Sequence, residues 1–225
     1  MNHSIRATSP SDTRDLNERF KLLCLQYVEM LREEGTRVRA FRGPELPLFS
    51  ALKPEEQGAV IAHLEMALEV FGETRTDGYK LKDSPKLMWR ALRKLGWTPC
   101  PDIFDKMTDD DVVVVYSPDQ KQVFQNLCFF DWVSLTLEDL YAAPWTQYSR
   151  RDPEIQRRLH EQGVRLFTGQ ITGTFDPCLP EHACEEVDTE ELLKFSIHIR
   201  YISPLKAQGA ICGALVVNRC TKPAD

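Results

Sequence analysis

Apolar residues recur at spacings of three and four from Ser11 onward. Leu16, Phe20, Leu23, Tyr27 and Leu31 fall on one helical face, with Asp12 and Asp15 at its positive end and Gly35 at the stop. A second helical pattern starts at Pro54, places Glu55 and Glu56 in its first turn, and carries Val60, Ile61, Leu64, Leu68 and Phe71 up to Gly72. The third opens on Asp83-Ser84-Pro85, a capping carboxylate followed by a proline whose missing N–H is harmless in a first turn. It runs through Leu87, Met88, Ala91, Leu92 and Leu95 to Gly96. Residues 97–110 hold two prolines and an acidic cluster, which mark a boundary, with a short helix expected over 103–107.

Beyond residue 110 the period changes from 3.6 to 2. Asp111-Val-Val-Val-Val-Tyr-Ser, a turn at 117–121 and Gln122-Val-Phe-Gln-Asn read as a hairpin over residues 111–126. An aromatic run follows (Phe129, Phe130, Trp132), then Thr136 with Glu138 and Asp139, a cap and acidic first turn for a short helix. Asp152-Pro153-Glu154 starts another helix, carrying Ile155 and Leu159 and closed at Gly163. A strand is expected over about 166–174. Residues 192–202 then alternate: Leu193, Phe195, Ile197, Ile199 and Tyr201 face one way, and Lys194, Ser196, His198 and Arg200 the other. After a turn region from Pro204 to Gly209, residues 209–218 form a last apolar strand. Antiparallel strands with helices between the first hairpin and the last three strands make an α+β arrangement, with one wet sheet face and one under helices.

Composition narrows the function classes. The chain has 225 residues, 42% hydrophobic and 28% charged, which suits globular domains, and its net charge of −6 lacks the concentrated basic face that nucleic acid or an anionic membrane needs. No apolar leader or spanning run is visible, so a cytoplasmic location is expected. Seven cysteines, an odd number with no CxxC, are expected to be mostly reduced. No nucleotide loop, HExxH, GxSxG or paired-carboxylate motif supports a common enzyme class, so a non-enzymatic role is expected.

The element order and the residues that follow the hairpin resemble a PAS-type sensory domain. Asn126 takes the place of the family's strand-ending Asn, Phe129 and Phe130 its apolar places, and Ser134 to Leu140 looks like its Ser-x-Glu-Glu-Leu segment. Two departures stand out: Trp132-Val133 replace a Gly-Tyr pair, and residues 176–190 look like an acidic insertion between the third and fourth strands. The resemblance covers about residues 108–220 and implies a five-stranded antiparallel sheet with short helices on one face. A helical region over 11–107 and a disordered 1–10 would precede it. It further implies a bacterial-type signal-transduction protein that senses a small ligand or docks protein partners. With no output segment after the last strand, output would pass through a protein partner or a homodimer, without nucleic acid or membrane.

Candidate site residues follow. Phe124, Asn126, Phe129, Phe130, Trp132, Phe195, Ile197 and Ile199 either line a ligand cavity or fill a solid core, the latter making the chain a non-sensing adaptor. Cys178, His182 and Cys184, with Glu181, Glu185, Glu186 or Asp188 nearby, offer zinc-type or redox ligands in a spacing that matches no standard finger, so a zinc or thiol sensor is a subsidiary reading and zinc is disfavoured. Cys128 reads as a small buried residue, since the flavin-attachment segment of light-sensing PAS domains is absent. His160, placed where haem-binding members carry a ligand, reads as an exposed helical histidine. His198 lies on a face that is either solvent-exposed sheet or a docking surface. No cofactor is identified. The first helix's apolar stripe suits packing on its neighbours or a dimer seam.

Overall fold

A computed structural model of the chain describes residues 10–187 and 192–222. The expected disorder of 1–10 therefore lies, Pro10 apart, outside the described residues, as does Asp188. The first three helices are α1 (Pro10–Glu33), α2 (Pro54–Thr76) and α3 (Ser84–Leu95). Phe20, Tyr27 and Leu31 of α1 are fully buried, so the stripe that could have served as a dimer seam is consumed within the molecule; Leu22 and Leu25 are the exposed leucines of this helix. Helix α3 starts as its sequence dictates, with the Asp83 carboxylate accepting the Lys86 N–H at 3.2 Å, and ends at Gly96 in the left-handed conformation. By contrast α2 passes through Gly72 and ends at Thr76. An interior glycine costs a helix only about 1 kcal/mol, less than the burial of Val70, Phe71 and Thr74 returns.

Among the described residues six strands form one antiparallel sheet in the order β2-β1-β6-β5-β4-β3, one more than the five expected. They are β1 (Val112–Tyr116), β2 (Gln122–Gln125), β3 (Ser149–Arg150), β4 (His182–Glu186), β5 (Lys194–Ala207) and β6 (Ala210–Thr221). Between β2 and β3 lie a 3₁₀ turn, Leu127–Asp131, and the short helices α4 (Leu137–Ala142) and α5 (Trp145–Tyr148); α6 (Pro153–Phe167) lies between β3 and β4. The last strand sits mid-sheet, pairing with β1 (Val114↔Val216) and with β5 (Ile202↔Val216). Gln208 and Gly209, both at positive φ, make the two-residue turn between β5 and β6. The expected turn from Pro204 is thus shorter: pairing continues through Pro204↔Ala214 to Ala207↔Ala210.

The sheet is covered on both sides. Val113 and Val115 of β1 and Leu215 and Val217 of β6 join one core with α1, α2 and α3, so the packing is continuous across residues 107 and 108. Phe71 stacks obliquely on Phe124 at 5.7 Å, and Tyr27 meets the edge of Phe130 at 6.2 Å. Residues 97–107 complete this cover: a 3₁₀ turn, Pro101–Lys106, buries Ile103, and a Cβ at Gly213 would fall 2.7 Å from the Trp97 ring. Arg200 and Arg219 converge on the fully buried Asp111 carboxylate, Arg200 at 2.7 and 2.8 Å. Residues 199–201 carry a β-bulge, so the expected alternation holds only to Ile199, and Ile202 takes over the inward face from Tyr201.

The opposite face carries α6 and its contacts. Ile155 and Leu166 are buried against Ile199, Ile202 and Ala214. Here the expectations change most. Gly163 does not close α6: positions 155, 159, 162 and 166 lie on one helical face, and burying Leu166 carries the helix on to Phe167, with Gly169 at φ 78 just beyond the end. No strand occupies 166–174; only Phe175 bridges to Ile202, at 2.9 and 3.0 Å. The strand that fills this place is β4, inside the stretch read as an acidic insertion. His182, Cys184 and Glu186 alternate inward, with Cys184 paired to Phe195 of β5.

Candidate functional site

Between the α6 face of the sheet and α6 itself lies a cavity of about 610 Å³. Its floor comes from alternate residues of the strands: Val112 and Val114 from β1, Ala214, Val216 and Asn218 from β6, and Phe195, Ile197 and Ile199 from β5. The period of two that puts Val113 and Leu215 into the helical core puts these neighbours into the cavity. Leu159, Val164 and Phe167 of α6 close it from above, and Phe129, Trp132, Leu135, Trp145 and Tyr148 supply walls from the segment between β2 and β3. Helix α6 is held in place by its Asp152 cap, which accepts from the N–H groups of Glu154 (2.8 Å) and Ile155 (3.3 Å).

A few polar side chains interrupt this apolar lining. Glu186 of β4 is buried and accepts the Ser134 N–H at 2.8 Å and the Ser134 hydroxyl. Gln122 donates to the Tyr148 hydroxyl at 2.9 Å, while its carbonyl oxygen, like that of Gln162, is buried without a partner. Cys184 Sγ lies 3.0 Å from Ser149 Oγ. Asn218 donates to the Val112 carbonyl at 3.3 Å. Arg151, just after β3, is half-buried with its guanidinium 4.5 Å from the Trp145 ring centre, and its Nε and Nη1 are buried with no hydrogen-bond partner. Burial pushes the Tyr116 hydroxyl and the Cys220 thiol up to about 12 each, with the Arg151 charge acting in the opposite sense on both. Burial likewise pushes Tyr148 well above its ordinary value and His182 below its own. These four groups are therefore neutral near pH 7.

Of the eight ligand-pocket candidates, Phe129, Trp132, Phe195, Ile197 and Ile199 line the cavity. Phe124, Asn126 and Phe130 do not: they face the helical core, Phe124 on Phe71, Phe130 on Tyr27, and Asn126 fully buried in hydrogen bonds to Val113, Ser84 and Asp111. A register shift in the β1–β2 pairing separates Phe124 from the cavity: Phe124 pairs with Val115, which faces the helical core, whereas Gln122 pairs with Tyr116, which lines the cavity.

Cys178, His182 and Cys184 are not brought together as a ligand set; among the described residues no group of three or more His, Cys, Asp or Glu side chains could hold a metal ion. Cys178 is exposed at positive φ, His182 Nδ1 lies 2.9 Å from the Pro180 carbonyl, and Cys184 points into the cavity wall. Cys128 is half-buried, its thiol 3.0 Å from the Asp109 carbonyl, rather than a core residue. His160 is exposed, at the cavity rim. His198 is exposed on the other sheet face, where its neighbour Arg200 is occupied by Asp111.

Sequence reasoning missed Tyr116, Gln122, Tyr148, Arg151 and Glu186 as lining residues. For Glu186 a signal existed, the period-two pattern of His182, Cys184 and Glu186 in β4. For Arg151 none did, because an arginine beside a helix start looks the same whether it faces solvent or an apolar space. Among the described residues no helix is long and apolar enough to cross a membrane. Comparison with protein-family models found no match, and comparison with curated proteins likewise found none.

Proposed function

We propose that this chain is a PAS-like signal-transduction protein whose cavity takes a small molecule and whose output passes through contacts with a partner or a second copy. The observation that carries this reading is the cavity: about 610 Å³ lies within the range of roughly 300–1,000 Å³ typical of small-molecule sites, and its walls are mainly apolar with a few converging polar groups. A solid core would have filled this space with side chains, as the helical side of the same sheet does. The strand arrangement adds support, because the first hairpin closes onto the last strand and the helices between them form the cavity walls. On the outside, Leu22 and Leu25 of α1 and Trp89 of α3 are exposed apolar side chains suited to protein contacts.

Native mass spectrometry of the purified protein, compared with the denatured chain, tests this directly. Bound small-molecule mass is expected in the native spectrum and should vanish on denaturation. Val216→Phe, which adds a ring at a partly buried side chain that borders the open space, should abolish the adduct while leaving the melting temperature within a few degrees. Equal native and denatured masses, together with no uptake of any apolar probe, would favour the adaptor role instead.

A further inference from the structure

We propose that the cavity's ligand is an amphiphile with a single carboxylate, its apolar body against β1, β5, β6 and α6 and its anionic end on Arg151. The inference rests on the ligand-binding function proposed above and adds the chemical class of the ligand. Among the described residues that line the cavity Arg151 is the only Lys or Arg, and Nε and Nη1 of its guanidinium are buried without acceptors. Among the described residues it forms no ion pair. The Trp145 ring 4.5 Å away favours the cation but supplies no hydrogen-bond acceptor in the ring plane.

Among the described residues, the carboxylates nearest Arg151 in the chain and in the cavity wall are occupied. Asp152, its chain neighbour, caps α6, and Glu186 in the cavity wall accepts both donors of Ser134. Tyr116, Tyr148, Cys220 and His182, the groups that sense the Arg151 charge, carry none of their own near pH 7. A guanidinium stays protonated even in apolar surroundings, so its buried donors lack a counter-charge until one enters from outside. With one cation, and with the Glu186 carboxylate also in the wall, the local charge suits a monoanion better than a phosphate dianion. The valine, isoleucine and phenylalanine floor requires the rest of the ligand to be apolar.

The test uses the whole chain and a series of straight-chain carboxylates of about six to fourteen carbons with their matching primary amides, titrated calorimetrically. The best carboxylate should bind one to one and at least about tenfold more tightly than its amide, the ratio expected from one charge-assisted hydrogen bond. Arg151→Gln should bring acid and amide to equal affinity by weakening the acid more than the amide, and Arg151→Lys, which keeps the charge if the glutamine variant does not fold, should retain a preference for the acid. If wild-type protein binds amide and acid equally, the carboxylate assignment is overturned and the cavity remains a ligand site. Failure of every acid and every amide to bind would overturn the ligand-binding function as well.

Discussion

At the scale of single residues, Asn126 shows how a side chain outside the site still builds it. In sequence it marks the end of the hairpin's second strand and was a candidate to line a pocket. In the structure its carbonyl oxygen accepts the Val113 N–H at 3.0 Å, and its amide donates to Ser84 Oγ and to the Asp111 carbonyl, both at 2.7 Å. Those partners lie in β1, at the residue just before it and in the first turn of α3, so one fully buried amide fixes the sheet against the helical layer. Asn126→Ala would remove the side-chain partner of the Val113 N–H and of the Asp111 carbonyl, and leave the Ser84 hydroxyl only its own donation to the Lys82 carbonyl. The expected loss of unfolding free energy in urea is about 2–4 kcal/mol, against about 1 kcal/mol for Ser84→Ala, which removes one bond of the set. A loss below about 0.5 kcal/mol for Asn126→Ala would mean that water replaces the amide. Arg151 is the contrasting case, a residue whose type was visible in the sequence but whose isolation from any acceptor was not.

Elements with strong local signals were legible. The Asp83 cap and the left-handed Gly96 delimit α3, the Thr136–Asp139 capping box starts α4, an apolar β-branched run and a turn located the β1–β2 hairpin, an apolar run located β6, and alternation located the first half of β5. What failed was punctuation by glycine and by charge. Gly72 and Gly163 read as stops yet lie inside α2 and α6, because tertiary burial of Phe71 and Leu166 outweighs a local preference of about 1 kcal/mol. The acidic residues around β4 read as a solvated insertion, yet Ser134, distant in sequence, satisfies the Glu186 carboxylate, and long-range partners of this kind leave no local trace. The glycine error is itself testable. A Cβ at the exposed Gly72 would meet nothing within 4 Å, so Gly72→Ala is expected to stabilise the protein by about 0.5–1 kcal/mol, raising the urea midpoint. Destabilisation by that change would indicate that Gly72 ends the helix after all.

For the molecule as a whole, the sheet works as a partition with one sealed side and one hollow side, and buried ionisable groups sit on both. Burial lowers the imidazoles of His63 in α2 and His182 in β4 below their ordinary value of 6.5. The unfolded chain therefore takes up protons near pH 6.5 that the folded chain refuses, and the stability present above that pH is lost as pH falls toward the folded values. At the alkaline end burial raises the thiols of Cys24 and Cys220 and the hydroxyls of Tyr27, Tyr116 and Tyr148. There the unfolded chain releases protons first, near the ordinary thiol value of 9.0, and stability falls as pH rises beyond it. Urea unfolding across pH 5 to 10 should thus show a plateau between about 6.5 and 8.5 with a decline on each side. The carboxylates lowered by surface ion pairs, Glu56, Asp102 and Glu154, act only below this range and do not blur the acid limb. Combining His63→Gln with His182→Gln should flatten the acid limb above pH 5 and leave the alkaline limb in place. A wild-type profile already flat from pH 6.5 to 5 would show that both imidazoles charge freely in the folded protein, and that neither the α2 surface nor the β4 edge of the cavity is as closed as their burial implies.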